Sequence, residues 1–122
     1  MRKNRAPFLV QLSSCCLLAL LATLSPSACS GSNPPNIGSR CTLDAGCDPG
    51  LTCDTAVDGG YCTRSCATAG STAGCPDQSI CDYVSGPTAP ECARVCAVQT
   101  DCRADLECNG VTNSSTKACK PK

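Results

Sequence analysis

Cys41-Thr-Leu-Asp-Ala-Gly-Cys47-Asp-Pro-Gly-Leu-Thr-Cys53, closed by Cys62 after eight further residues, is the stretch that decides the fold. Five residues separate each of its first two cysteine pairs, and the four-cysteine pattern returns twice downstream. Cys66, Cys75, Cys81 and Cys92 follow with intervals of eight, five and ten residues, and Cys96, Cys102, Cys108 and Cys119 with five, five and ten. Two junctions of three residues, Thr63-Arg64-Ser65 and Ala93-Arg94-Val95, join the repeats. The chain is therefore a triplicated four-cysteine unit, with unit one over 41–62, unit two over 63–92 and unit three over 93–122. The predicted fold class is small and disulfide-rich, with turns, short β-hairpins and little regular secondary structure.

Upstream, Met1 to Ala28 reads as an export signal, helical in a membrane. Arg2, Lys3 and Arg5 form a basic start, Phe8 to Leu24 an uncharged apolar run, and Ser25 to Ala28 a small-residue stretch ahead of a cleavage point. All ten acidic residues but only seven of the ten basic ones lie beyond Ala28, so the exported part carries a charge of −3. With no basic run to hold phosphates, a nucleic-acid partner is not expected. The larger apolar residues of the cysteine region are few, and burying them cannot offset the entropy of ordering the chain. Covalent bridges must make up the difference. Twelve is an even number, there is no histidine and no Cys-x-x-Cys, and an export signal precedes the array, so six disulfides are preferred over a thiolate metal cluster.

Cys29 stands apart from the array. A free thiol there would leave thirteen cysteines in the exported chain, an odd number that secreted proteins avoid. Leu24-Ser25-Pro26-Ser27-Ala28-Cys29-Ser30 resembles a bacterial lipoprotein processing site, with Ala28 directly before the cysteine, although that resemblance calls for an aliphatic residue where Pro26 stands. It implies lipidation of Cys29 and a membrane partner through the lipid; ordinary cleavage nearby and secretion is the alternative. Residues 29–40 then read as the lipidated cysteine and a flexible Ser/Gly/Asn/Pro tether.

The units share more than cysteines. Each places one aliphatic residue, Leu51, Ile80 or Leu106, just before its third cysteine, where a single side chain covers the bridges. Immediately after that cysteine come Asp54, Asp82 or Asn109, which are expected to start turns by bonding nearby amides. The variable loops they open, 54–61, 82–91 and 109–118, are the candidate contact surfaces. Short connectors suggest three units in a rigid row, bridged mostly within units and in part across the three-residue junctions. Tyr61 and Tyr83, the only exported aromatics, are expected to pack on disulfides.

The Cys-x5-Cys-x5-Cys core with its Asp, Gly and Leu resembles the opening of Dickkopf-type amino-terminal cysteine-rich domains, and Cys96-Ala-Val-Gln-Thr-Asp-Cys102-Arg-Ala-Asp-Leu-Glu-Cys108 repeats it. Arrays of this kind behind a lipoprotein signal also resemble cysteine-rich surface proteins of myxobacteria. The resemblance spans about residues 41 to 119. It implies a stapled surface module at the outer membrane or cell surface, and does not carry over the animal family's receptor signalling.

Catalysis is not expected, because histidine, the commonest base, is absent. Asp44 with Asp48 and Asp101 with Asp105 fall in short loops where carboxylates solvate or cap turns. Asp54 and Asp58 flank a Gly-rich turn that could offer oxygens to calcium, yet no recognised calcium loop is present, and turn formation is preferred. No cofactor is implied. Asn113-Ser114-Ser115 matches a glycosylation acceptor, a pattern that three residues reach by chance. Two function classes follow. One is a surface module whose stapled loops bind an extracellular protein or glycan. The other is a secreted protease inhibitor or toxin-like effector presenting Arg64, Arg94 or Arg103.

Overall fold

A computed structural model describes residues 35–122. It is small and disulfide-rich, with six bridges and short antiparallel strands. The signal segment 1–28, Cys29 and the first part of the tether lie outside the described residues. Within them, six strands form in pairs: β1 (Thr52–Asp54) with β2 (Tyr61–Thr63), β3 (Ser79–Asp82) with β4 (Glu91–Cys96), and β5 (Leu106–Gly110) with β6 (Lys117–Pro121).

Each hairpin sets the third and fourth cysteines of its unit directly opposite one another: Cys53 against Cys62, Cys81 against Cys92, Cys108 against Cys119. These facing cysteines are not joined to each other. Each reaches back to the unit's opening loop, so the first cysteine bonds the third and the second bonds the fourth in all three units. The bridges are Cys41–Cys53 and Cys47–Cys62, Cys66–Cys81 and Cys75–Cys92, and Cys96–Cys108 and Cys102–Cys119. The two bridges of a unit stack. In unit one the sulfurs of Cys41, Cys47 and Cys62 lie within 4.8 Å of one another, and the equivalent trios in units two and three do the same. No bridge crosses a three-residue junction, contrary to expectation: Ala93-Arg94-Val95 lies within β4, and Thr63-Arg64-Ser65 runs from the end of β2 to a bridge between Ser65 and Glu91.

The segment before each first cysteine pairs with the closing strand of its own unit. In unit three, Val95 and Cys96 pair with Ala118 and Lys117, which makes β4 the partner of both β3 and β6 and joins four strands in the order β3-β4-β6-β5. In unit two, Ser65 bridges Glu91, the Cys92 amide donates to the Arg64 carbonyl at 2.8 Å, and the Cys66 amide donates to the Pro90 carbonyl. In unit one, the Gly38 amide donates to the Cys62 carbonyl at 2.9 Å and the Cys62 amide to the Ser39 carbonyl at 3.0 Å. The tether expected over 29–40 therefore ends early. Ile37 is 2% exposed, and Asn36 and Asp48 clasp each other through reciprocal amide-to-side-chain bonds at 2.7 and 2.9 Å. A unit begins about three residues before its first cysteine, and for unit one those residues come from the tether.

Leu51, Ile80 and Leu106 are all buried against the bridges, as their repeated position implies. A second equivalence had no sequence signature. In unit one Asp44 Oδ1 accepts the amide of the third cysteine, Cys53, at 2.7 Å, and in unit three Gln99 Oε1 accepts that of Cys108 at 3.0 Å. Both side chains lie three residues after the unit's first cysteine. Unit two has Ala69 there, and its longer first interval supplies a main-chain acceptor instead, the Ser71 carbonyl, to the Cys81 amide.

The units do not form a row. Unit one packs on unit three as well as on unit two, which a linear array does not allow. Tyr61 is fully buried and its hydroxyl donates to the Cys119 carbonyl at 2.8 Å. Arg103 of unit three donates to the Gly38 and Asp58 carbonyls of unit one at 3.2 Å each, and its guanidinium carbon lies 5.8 Å from the Tyr61 ring centre. Asp105 accepts from Arg40 at 2.8 Å.

Candidate binding surface

Loops 54–61 and 82–91 come from different units yet meet at one crevice. Val57 and Val84 form its apolar floor, each almost fully buried, while Ala56 and Ser85 stand exposed at its rim and Lys122 closes the far side. It encloses about 300 Å³, the lower end of the range for small-ligand clefts. Gly59 and Gly60 allow the first loop to fold so closely. Both have left-handed backbone, and a Cβ on Gly60 would fall 1.9 Å from the Cys41 carbonyl oxygen. Loop 54–61 is thus a rigid wall rather than a free finger. In loop 82–91, the stretch from Ser85 to Ala89 is largely exposed, and Ser85 Oγ donates to Glu91 at 3.2 Å.

The third expected loop, 109–118, is not part of this crevice. It leans on unit two, with the Thr112 carbonyl so close over Gly70 that a Cβ there would fall 2.6 Å from it. Asn113, with φ +57°, is exposed at its tip.

The expected turn residues divide. Asp54 Oδ1 accepts the Ala56 amide at 2.9 Å, as a turn starter does, whereas Asn109 lies within β5 and its Oδ1 accepts only the adjacent Gly110 amide. Asp82 reaches out of its unit instead. It is fully buried and accepts the Lys120 ammonium at 2.8 Å and the Thr112 amide at 3.3 Å. Burial works against its charge, but Lys120 and the amides of Thr112 and Tyr83 outweigh it and hold the carboxyl below its usual pKa. Glu91 moves the other way. Burial, and next the neighbouring Asp54 carboxylate, raise its pKa above the ordinary value.

Of the remaining acidic pairs, Asp44, Asp48 and Asp101 serve the backbone and Asp105 serves arginines. Asp101 Oδ2 accepts the Ala97 and Val98 amides at 2.8 and 3.0 Å, and those bonds lower its pKa. Asp44 and Asp48 are engaged as described, and Asp105 Oδ2 lies 3.0 Å from Arg103 Nε.

The three arginines weighed as presented basic residues differ sharply. Arg103 is an internal strut, its side chain only 15% exposed and tied to Gly38, Asp58 and Asp105, so it cannot be presented to an enzyme cleft. Arg64 donates to the Gly74 carbonyl. Arg94 gives its main-chain amide to the Tyr61 hydroxyl at 3.2 Å, while its guanidinium forms no hydrogen bond or ion pair among the described residues. Of the tyrosines, Tyr61 holds the units together and Tyr83 is 38% exposed.

Compared with known protein families, curated proteins and solved structures, the chain matches none. Among the described residues no helix is long and apolar enough to cross a membrane. Six bridges in so small a chain belong to an oxidising environment outside the cytoplasm.

Proposed function

We propose that the chain is an exported surface module, lipid-anchored through Cys29, whose stapled loops 54–61 and 82–91 bind an extracellular protein or glycan. The observation that carries the reading is the convergence of these two loops on one crevice while the disulfides, Tyr61 and Asp82 hold the frame behind it. A frame fixed by covalent bridges loses little entropy when its loops engage a partner, which favours binding. The export signal and the parity of cysteines support the anchor, and the resemblance to cysteine-rich lipoproteins supports a position at the outer membrane or cell surface.

The test has two parts. Intact mass of the protein from its native envelope, with and without reduction, should show a lipid on an amino-terminal Cys29 and twelve cysteines that alkylate only after reduction. Ligand screening of that protein should then give a binder whose affinity is lost in Ala56→Arg and Ser85→Arg, both exposed at the crevice rim. Cysteines that alkylate without reduction, or a screen that yields no binder weakened by either rim variant, would overturn it.

A further inference from the structure

The exported part has four arginines, at 40, 64, 94 and 103, and no basic run. Folding nonetheless gathers three of them, Arg40, Arg94 and Arg103, on a second crevice of about 380 Å³ between the segment entering unit one and the first loop of unit three. Such a concentration is unexpected in an exported part whose net charge is −3. The acidic groups beside it are already engaged. Asp105 is shared between Arg40 and Arg103, and Asp101, whose two amide bonds hold it as a carboxylate in the same lining, feels the charge of Arg94, so three arginines against two carboxylates leave one net positive charge. Arg103 has its own partners at the base. What remains is the Arg94 guanidinium, unpaired among the described residues, with Arg40, 61% exposed, on the opposite side.

Arg94 is also well placed to act as a fixed donor. Its residue lies within β4 between two bridged cysteines, its main-chain amide is tied to Tyr61, and its Cβ is packed close above Gly38, where an added Cβ would lie 3.3 Å away. A guanidinium on a rigid base offers a planar fork that matches the two oxygens of a carboxylate or sulfate and loses little freedom in binding one. The crevice exposes no aromatic ring, and Ile37, its one large apolar residue, is buried. It therefore lacks the apolar centre that a protein interface anchors on and the stacking platform that suits an uncharged sugar.

We propose that this crevice binds a carboxylate or sulfate group carried by an acidic polysaccharide, with Arg94 as the forked anchor and Arg40 as the second donor. This goes beyond the binding reading above by adding a second site, built from residues outside loops 54–61 and 82–91, and the two can fail separately. An exported, anchored protein whose second crevice is inert refutes only the oxyanion assignment; a saccharide-binding protein that is never exported refutes only the surface reading.

Calorimetric titration of the mature, oxidised protein at low ionic strength tests it, with four probes: tetragalacturonate, a sulfated heparin tetrasaccharide, an uncharged galactan tetrasaccharide and hexaglutamate. Whichever charged saccharide binds identifies the source of the oxyanion, and the uncharged one should not bind. Arg94→Gln should weaken that binding about tenfold or more and Arg94→Lys less, whereas Arg64→Gln should stay within about twofold of wild type. The Arg94 variants keep the main-chain contact to Tyr61. Independently of any variant, wild-type affinity should fall as salt is raised. Equal losses in Arg64→Gln and Arg94→Gln, tighter binding of hexaglutamate than of either charged saccharide, or no saturable binding to both would overturn the assignment.

Discussion

The Tyr61 hydroxyl of unit one donates to the carbonyl of Cys119, the last cysteine of unit three, at 2.8 Å, and in the same position accepts the amide of Arg94 from the junction between units two and three. One oxygen therefore ties unit one both to the end of unit three and to β4, the strand that joins units two and three. Tyr61→Phe removes it and leaves two buried backbone groups without a partner, at a cost of about 1–3 kcal/mol. Denaturant unfolding should show the loss without any change in the bridge pattern.

Burial pushes the Tyr61 phenol from 10.0 up to about 12. Because the native value is the higher one, this contribution to stability is whole below the unfolded value of 10.0 and is lost as pH rises through about 12. Ultraviolet titration of the native protein should show the Tyr61 phenolate appearing only near the upper end of that window.

Lys120 is the ammonium facing the buried Asp82 carboxylate. Lys120→Ala strands that charge, and breaking such a pair costs about 3–5 kcal/mol. The Asp82 carboxyl has a native pKa below its ordinary 3.8, so its contribution is present above 3.8 and lost as pH falls through the lower native value. The variant should accordingly unfold at a higher pH than wild type in acid titrations followed by circular dichroism.

Gly60 and Gly74 share left-handed backbone but not surroundings. A Cβ at Gly60 collides with the Cys41 carbonyl, whereas nothing lies within 4 Å of one at Gly74. Gly74→Ala should cost only the conformational penalty, about 1–2 kcal/mol. Gly60→Ala should cost several times that and sharply reduce the yield of correctly bridged protein, as read by non-reducing chromatography of the refolded chains.

Proteolysis without reduction should release peptides joined as Cys41–Cys53, Cys47–Cys62 and their equivalents, all within units. Replacing both Cys102 and Cys119 by Ser should cost about 2–5 kcal/mol and leave the other five bridges formed.

What could be read from the sequence is what lies along one unit. Cysteine intervals, the aliphatic residue before each third cysteine and the turn residues after it are local, and repetition makes them visible. Contacts between units are set by packing and leave no interval to find: Tyr61 and Cys119 lie 58 positions apart, Arg40 and Asp105 65. Asp82 shows the limit well. It occupies the same repeat position as Asp54 and Asn109, yet only it faces a lysine from another unit, so its role as a buried ion-pair partner could not come from the repeat. The arginine crevice was hidden for the same reason, since its members are scattered and a charge count sees only their sum.

The strand β4 sets a rule for how such a chain can vary in length. It carries Cys92, which closes unit two, and Cys96, which opens unit three, and alternation of side chains along a strand puts two residues four apart on the same face. Adding or deleting one residue in Ala93-Arg94-Val95 would turn Cys96, the last residue of the strand, away from Cys108. Junction length is thus quantised in steps of two, while the hairpin loops, which bear no such parity, can lengthen one residue at a time. A length change that the stapled frame tolerates therefore belongs in the loops, which run to eight, ten and ten residues, and not in the joint that β4 forms.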